Sequence, residues 1–241
     1  MGINGMLFLF YRLVLAHLLT DFPFQPNWVF RLKVRYKWGV VLHGSISGVL
    51  SFILAYPFLN NPRIWTYLIL LWILHIFQDR AKIVYNLQSE RNTLWTFLLD
   101  ELLHIGLIFL ACLGSRDIMP SLSINPSWLS DLYYHDKFIA GGIFYIIATY
   151  GATIFISYAH RLIVHTETGF SVPSASEKYF GIIERALLVT VIWFGGYYLL
   201  FLPLVFVPGY YLYRKNKLDV IDYPISLGLG LVTGVILKLI V

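Results

Sequence analysis

The sequence predicts an all-α, polytopic transmembrane helical bundle with about eight membrane segments and one short interfacial segment. Of its 241 residues, 58% are hydrophobic and 13% are charged, whereas soluble domains carry roughly 25% charged residues. The mean hydropathy is +0.70, and apolar runs of the length that crosses a bilayer, roughly 20 residues, recur along the chain. We therefore expect a single membrane domain over residues 1–241.

The first half of this domain, residues 1–113, is expected to contain four spans and the functional site. Pro23 ends the first span, because a residue that precedes proline avoids helix, and Asn60-Asn61-Pro62 is typical of a turn. Between the first two spans, residues 27–37 alternate basic and apolar side chains, which fits a short interfacial helix and an extended segment equally well. The predicted spans cover residues of about 3–20, 38–58, 63–85 and 92–113.

The C-terminal half, residues 136–241, follows the longest predicted loop, residues 114–135. A polar connection with Glu167, Pro173 and Ser174 separates its first span from the rest. The stretch 179–213 is too long for one span, and Gly195-Gly196, Pro203 and Pro208 indicate a break within it. The predicted spans cover residues of about 137–159, 180–197, 199–213 and 222–241.

The distribution of basic residues predicts that the N-terminus is outside, since cytoplasmic loops carry an excess of Lys and Arg. With eight spans, the loops on the predicted cytoplasmic side hold Arg31, Lys33, Arg35, Lys37, Arg80, Lys82, Arg91, Arg161, Lys178, Arg214, Lys215 and Lys217. The opposite side holds only Arg63, Arg116, Lys137 and Lys238.

Charge and cysteine content exclude two other kinds of site. The net charge of +5 suits a membrane protein with basic loops, and no basic stripe with interleaved aromatic residues indicates nucleic-acid binding. Cys112 is the only cysteine, which excludes an intrachain disulfide and a thiolate metal site.

Histidine and aspartate recur one helical turn apart in the first half of the chain. The pairs are His17-x-x-x-Asp21, His75-x-x-x-Asp79 and, reversed, Asp100-x-x-x-His104, with a lone His43. Residues four apart lie on one face of a helix. Ionisable residues within apolar spans indicate a functional site.

Alternating span direction would bring these residues together in the cytoplasmic half of the membrane. We call them the His/Asp cluster: His17, Asp21, His43, His75, Asp79, Asp100 and His104. Imidazole and carboxylate without thiolate suit a divalent metal, with zinc the first candidate. Seven ligands exceed one tetrahedral site, so two metals, or one metal with carboxylates that orient the imidazoles, both remain open. A buried network that only fixes helix packing is the structural alternative.

Four polar residues outside the cluster are weaker candidates. Lys82 and Arg185 are predicted to stabilise developing charge, although snorkelling of Lys82 and an ion pair of Glu184 with Arg185 are structural alternatives. Glu101 precedes His104 by three residues and fits a ligand, a base or a packing residue.

Five blocks of this sequence resemble an uncharacterised bacterial membrane family, Domain of Unknown Function 3307. They are Ala-His-Leu-Leu-Thr-Asp-Phe-x-x-Gln-Pro at 16–26, Leu42-His43, His75-x-x-x-Asp79, Phe97-Leu98-Leu99-Asp100-x-x-x-His104 and Gly181-Ile182-Ile183-Glu184-Arg185. The resemblance implies an integral protein of a bacterial cytoplasmic (inner) membrane and no particular activity. The His/Asp pairs are also similar, at the level of the motif alone, to those of predicted membrane-bound metal-dependent hydrolases.

These observations lead to one principal function and two alternatives. The principal one is a metal-dependent membrane hydrolase that acts at the cytoplasmic side on a phosphoester or other ester of a membrane lipid or lipid-linked substrate. One of Asp21, Asp79 and Asp100 would act as a base. The alternatives are a cation or proton transporter and a non-catalytic membrane module with a structural His/Asp network.

Overall fold

The computed structural model describes residues 2–89, 93–164, 175–215 and 218–240. These residues form helices and connecting turns and contain no strand, which confirms the all-α prediction. The chain divides into two compact units, residues 1–139 (unit 1) and 140–241 (unit 2). The predicted polar connection at Glu167, Pro173 and Ser174 lies outside the described residues, as do Arg91, Lys217 and the side chain of Lys178.

The helices that begin in unit 1 cover the segments predicted there and add α6 within the predicted loop. They are α1 (Gly2–Asp21), α2 (Asn27–Arg35), α3 (Lys37–Leu54), α4 (Pro62–Ser89), α5 (Leu94–Gly114), α6 (Ser127–Tyr134) and α7 (Asp136–Ile146). The segment 27–37, which fitted a helix and an extended conformation equally well, forms the helix α2. The predicted loop 114–135 is not wholly irregular, because it contains α6, whose Tyr133 is buried and donates a hydrogen bond of 2.6 Å to the carbonyl oxygen of Leu54.

Four of these helices enclose the centre of unit 1. Helix α1 packs against α3 and α5, and α4 packs against the same two helices, so the four form a closed ring. Helix α2 packs against the start of α3. Thr93 starts α5 with a capping box, in which its side chain and that of Thr96 satisfy each other's backbone N–H groups.

The helices after α7 form a second bundle. They are α8 (Ala152–Val164), which follows a π-helical turn (Ile147–Gly151), then α9 (Ala175–Phe194), α10 (Leu202–Arg214) and α11 (Asp222–Ile240). The predicted break between two segments is confirmed at Gly195, whose φ of 60° suits a residue without Cβ. Within unit 2, α9 packs against α11 and α10 around Leu188, Val189 and Leu237.

Five helical segments of the described chain are long and apolar enough to cross a membrane, which agrees with the predicted membrane protein. They are Lys37–Leu54, Leu94–Gly114, Asp136–Val164, Gly196–Arg214 and Asp222–Ile240.

Candidate metal centre

The closed ring of unit 1 brings the seven residues of the His/Asp cluster together. The last turns of α1 carry His17 and Asp21, and α3 carries His43 near its start. One face of α4 carries His75 and Asp79, and one face of α5 carries Asp100 and His104. All seven side chains are buried, so the helical spacing places each His and Asp pair on the inner face of its helix.

The four imidazole rings lie around His75. The centroid of its ring is 4.3 Å from that of His104, 5.4 Å from that of His43 and 5.7 Å from that of His17. The rings of His17 and His104 are 4.7 Å apart. Four helices therefore contribute nitrogen donors to one small volume.

The carboxylates of the cluster lie between the rings. Oδ1 of Asp21 is 3.2 Å from Nε2 of His43 and 3.6 Å from Nε2 of His75. Oδ2 of Asp79 is 3.4 Å from the same two nitrogens. Oδ1 of Asp100 is 3.6 Å from Nε2 of His104. Most of these separations exceed a normal N–H···O hydrogen bond.

Several ring nitrogens in this volume have no hydrogen-bond partner. Among the described residues, Nε2 of His75, Nε2 of His104, Nδ1 of His17 and Nδ1 of His43 make no hydrogen bond. Leaving a buried polar atom unsatisfied costs about 1–3 kcal/mol. A bound metal ion accepts a nitrogen lone pair directly, so this donor set fits a metal centre.

Among the described residues of unit 1, donor atoms that lie within 4.8 Å of one another form four overlapping groups of a size that suits a metal ion. The groups are His17, His75 and His104; Asp21, His43, His75 and Asp79; Asp21, Asp79, Asp100 and His104; and His17, Asp21 and Glu101. The last group adds Glu101, whose Oε2 is 3.1 Å from Nε2 of His17.

Two lysines pair with the outer oxygens of the carboxylates. Nζ of Lys33 on α2 is 2.8 Å from Oδ1 of Asp79, and Nζ of Lys82 is 2.6 Å from Oδ2 of Asp100. Lys82 was a predicted site residue, but Lys33 was missed because it stood among alternating basic residues. If residues 27–37 are interpreted as a helix, Lys33 lies one turn after Val29 on the same face, and this spacing could have indicated its burial.

Two glutamines form hydrogen bonds with members of these ion pairs, Gln78 with Asp100 and Gln25 with Lys33. Nε2 of Gln78 donates to the backbone oxygen of Asp100 at 2.8 Å and to its Oδ1 at 3.3 Å. Gln25 accepts from Nζ of Lys33 at 3.1 Å and donates to the backbone oxygen of Asp21. The orientations of Asp100 and Lys33 are therefore fixed by hydrogen bonds beyond the ion pairs.

Arg185, predicted to stabilise developing charge, lies in unit 2 and is buried. Its guanidinium donates to the backbone oxygens of Ala148 and Thr149 in the π-helical turn and to the hydroxyls of Thr153 and Ser226. These bonds give it a structural role within unit 2, and its catalytic role stays a prediction.

Unit 2 contains a smaller group of residues of the types that bind metals, His160, Asp219 and Asp222. Nδ1 of His160 is 2.8 Å from Oδ1 of Asp222 and 3.6 Å from Oδ1 of Asp219. Oδ1 of Asp219 also accepts from the backbone N–H groups of Ile221 and Asp222, so helix capping accounts for its position.

Comparison with known proteins identifies a family without an assigned activity. The family model described as "Protein of unknown function (DUF3307)" matches residues 9–132, just over half of the chain, and this range includes the whole His/Asp cluster. The fifth resembling block, 181–185, lies beyond it. No curated protein and no solved structure matches the chain significantly. The chain therefore belongs to the DUF3307 family of proteins of unknown function.

Proposed function

We propose that this protein is an integral membrane hydrolase that uses a divalent metal to hydrolyse an ester of a membrane lipid or lipid-linked substrate. The observation that carries the proposal is the convergence of four buried imidazoles on buried carboxylates, with ring nitrogens that have no hydrogen-bond partner among the described residues. A purely structural network would be expected to satisfy those nitrogens.

The metal, with zinc the first candidate, would be held by residues of the His/Asp cluster: His17, Asp21, His43, His75, Asp79, Asp100 and His104. When bound, it would act as a Lewis acid and lower the pKa of water. A carboxylate of Asp21, Asp79 or Asp100 would accept the proton of the attacking water. Lys82, beside Asp100, would stabilise negative charge on the reacting ester. Water would thus split the ester bond into an acid and an alcohol.

The surroundings of the cluster support a lipid as the substrate. The outward face of α5 exposes Leu98, Leu99, Leu102 and Leu103 beside Asp100 and His104. Exposed leucines of this density suit contact with lipid chains. Glu101 and Lys82 have 16% and 23% of their side chains exposed, which places a partly accessible polar edge next to that apolar surface.

For the membrane topology we propose eight segments with the N-terminus outside, in a bacterial inner membrane. The five long apolar helices and the excess of basic residues in alternate connections support it. His43 lies six residues after the start of α3 at Lys37, which is about 9 Å along the helix. This topology would put the centre in the cytoplasmic half of the membrane, within reach of lipid headgroups.

A non-catalytic structural network is the second candidate, and the two lysines favour it. The pairs of Lys33 with Asp79 and of Lys82 with Asp100 neutralise two carboxylates without any metal. Such a network would fold, and would keep the four imidazole rings at their present distances, without a bound metal. Metal content therefore separates the two candidates.

The test is the metal content of purified protein after dialysis against zinc, manganese or cobalt, measured by plasma mass spectrometry. We expect metal in the wild type, its loss in His75→Ala and Asp100→Ala, and its retention in His135→Ala, since His135 is an exposed histidine outside the cluster. Metal-dependent release of alcohol from phosphoester or carboxylic ester lipids in nanodiscs, abolished by a chelator, would support catalysis. A wild-type protein that binds no metal would overturn the proposal.

A further inference from the structure

We propose that the centre holds two divalent cations bridged by Asp21, and that this pair takes a phosphate group. The inference rests on the proposed function, because it assumes that the His/Asp cluster binds metal. It goes further by fixing the number of ions and by choosing phosphate over an uncharged carboxylic ester.

The number of donors exceeds what one ion uses. Unit 1 gathers four histidines and, with Glu101, four carboxylates, whereas a zinc site is usually four-coordinate. One ion among Asp21, His43, His75 and Asp79 would leave the group of His17 and Glu101 without an ion. A second ion would be held by the three donors His17, Asp21 and Glu101, which would leave its fourth position for the phosphate.

Asp21 is the residue that the two sides share. It belongs both to the group that contains His43 and to the group that contains His17 and Glu101. Its Oδ1 lies 3.2 Å from Nε2 of His43 and 3.8 Å from Nδ1 of His17. A carboxylate between two sets of nitrogen donors is placed to bridge ions about 3.5–4 Å apart, the usual spacing of two-metal sites.

The charge of the centre connects the number of ions to the substrate. The carboxylates of Asp21, Asp79, Asp100 and Glu101 stand against the ammonium groups of Lys33 and Lys82, which leaves −2 when the imidazoles are counted as neutral. One divalent cation brings the charge to zero, which suits an uncharged ester. Two cations give +2, and a buried surplus of this kind requires an anion. A phosphate dianion balances it.

The phosphate has two sources that share this chemistry, a free phosphate and the phosphate of a lipid headgroup. Lys82 and Glu101 form the partly exposed polar edge of the centre, and either source reaches that edge. The experiments below use both.

The first experiment counts metal ions per chain. We expect about two in the wild type, about one in His43→Ala and about one in Glu101→Gln, because each variant removes a donor from one group only. Glu101 is partly exposed, so its variant serves where His43→Ala fails to fold. His135→Ala is expected to keep two ions. One ion in the wild type would overturn this inference while leaving the proposed function standing, and no ion would overturn both.

The second experiment measures phosphate binding to the metal-loaded protein. Inorganic phosphate in detergent is expected to bind the wild type about tenfold or more tightly than it binds His43→Ala, since the loss of one cation removes two positive charges. Nanodiscs that contain phosphatidic acid are compared with nanodiscs of phosphatidylcholine. Competition by phosphatidic acid against inorganic phosphate would assign the lipid headgroup, and its absence would assign free phosphate. The inference would be overturned if protein that carries two ions bound neither inorganic phosphate nor phosphatidic acid.

Discussion

Nζ of Lys33 lies 2.8 Å from Oδ1 of Asp79, and both side chains are almost fully buried, with 9% and 0% of their surface exposed. This ion pair connects α2 to α4. It also connects the basic segment to the His/Asp cluster. Removing one partner of a buried pair leaves an uncompensated charge, which is costly.

We therefore expect Lys33→Met to lower the free energy of unfolding of chelator-treated protein by about 3–5 kcal/mol. Lys82→Met is the matched variant, because Lys82 makes the equivalent pair with Asp100 but has 23% of its side chain exposed. It is expected to cost less, since water compensates part of the lost charge. Equilibrium unfolding in mixed detergent micelles measures the free energy of unfolding of both variants. Equal decreases in the two variants would contradict the importance of burial.

Gly39 fixes the distance between α2 and α3. A Cβ atom there would come within 2.1 Å of the backbone oxygen of Leu32 and 2.7 Å of the backbone nitrogen of Lys33. Because both contacts are with backbone, Gly39→Ala must displace α2 and with it Lys33. We expect Gly39→Ala to lower the free energy of unfolding. The effects of Gly39→Ala and Lys33→Met should be less than additive in the double variant, because both substitutions break the same contact.

Gly106→Ala is the control for this substitution. A Cβ atom at Gly106 would meet nothing within 4 Å, and alanine is favoured over glycine within a helix by roughly 0.5–1 kcal/mol. Gly106→Ala is therefore expected to stabilise the protein slightly. If Gly39→Ala and Gly106→Ala changed the free energy of unfolding similarly, α2 would not be held closely against α3.

Arg12 is a further buried charge of unit 1, outside the His/Asp cluster. Its guanidinium donates to the backbone oxygen of Tyr133 and to Oδ1 of Asp136, and it lies 3.4 Å from the centroid of the Phe8 ring. We expect Arg12→Met to lower the free energy of unfolding by about 1–3 kcal/mol, because it leaves the backbone oxygen of Tyr133 without its donor. The carboxylate of Asp136 is 53% exposed, so water compensates its lost partner.

Arg63→Met is the control for Arg12→Met. Arg63 pairs with Asp117 at 2.7 Å, but more than half of each side chain is exposed. Exposed ion pairs contribute little, so the transition of this variant should nearly coincide with that of the wild type. A loss comparable to that of Arg12→Met would contradict the assignment of stability to burial.

Much of the centre follows from the sequence because its spacing is local. His75 and Asp79 lie one turn apart on a helix whose apolar length predicts a span, and alternating span direction then brings α1, α3, α4 and α5 to one level. The break at Gly195 is equally local, since a residue with positive φ favours glycine.

The features that were missed depend on tertiary contacts. The helix α6 forms in a segment of ordinary loop composition, and Tyr133 reaches α3 across the sequence. The partner of Arg12 lies 124 residues away. The sequence fits a helix and an extended segment equally well at residues 27–37. Only the helix places Lys33 on the same face as the buried Val29. Spacing along the chain carries no information about such partners.

Arg185 offers a test of unit 2 that does not involve the His/Asp cluster. The π-helical turn presents the carbonyl oxygens of Ala148 and Thr149, and the guanidinium binds both, the second at 2.9 Å. We expect Arg185→Met to lower the free energy of unfolding by about 1–3 kcal/mol, since it leaves these buried carbonyl oxygens without their side-chain donor. Arg185→Lys should recover little, because an ammonium group cannot reproduce the planar fork of donors.

Arg214→Met is the control, because Arg214 is exposed at the end of α10. Unfolding in mixed micelles and metal content are measured on the same samples. A structural role predicts that Arg185→Met lowers stability while metal content per folded chain stays at the wild-type value. The predicted role in stabilising charge on the ester predicts in addition a fall in kcat of the folded variant, measured at a temperature well below its transition. Unchanged stability together with reduced kcat would assign Arg185 to the reaction rather than to the packing of α9 on the π-helical turn.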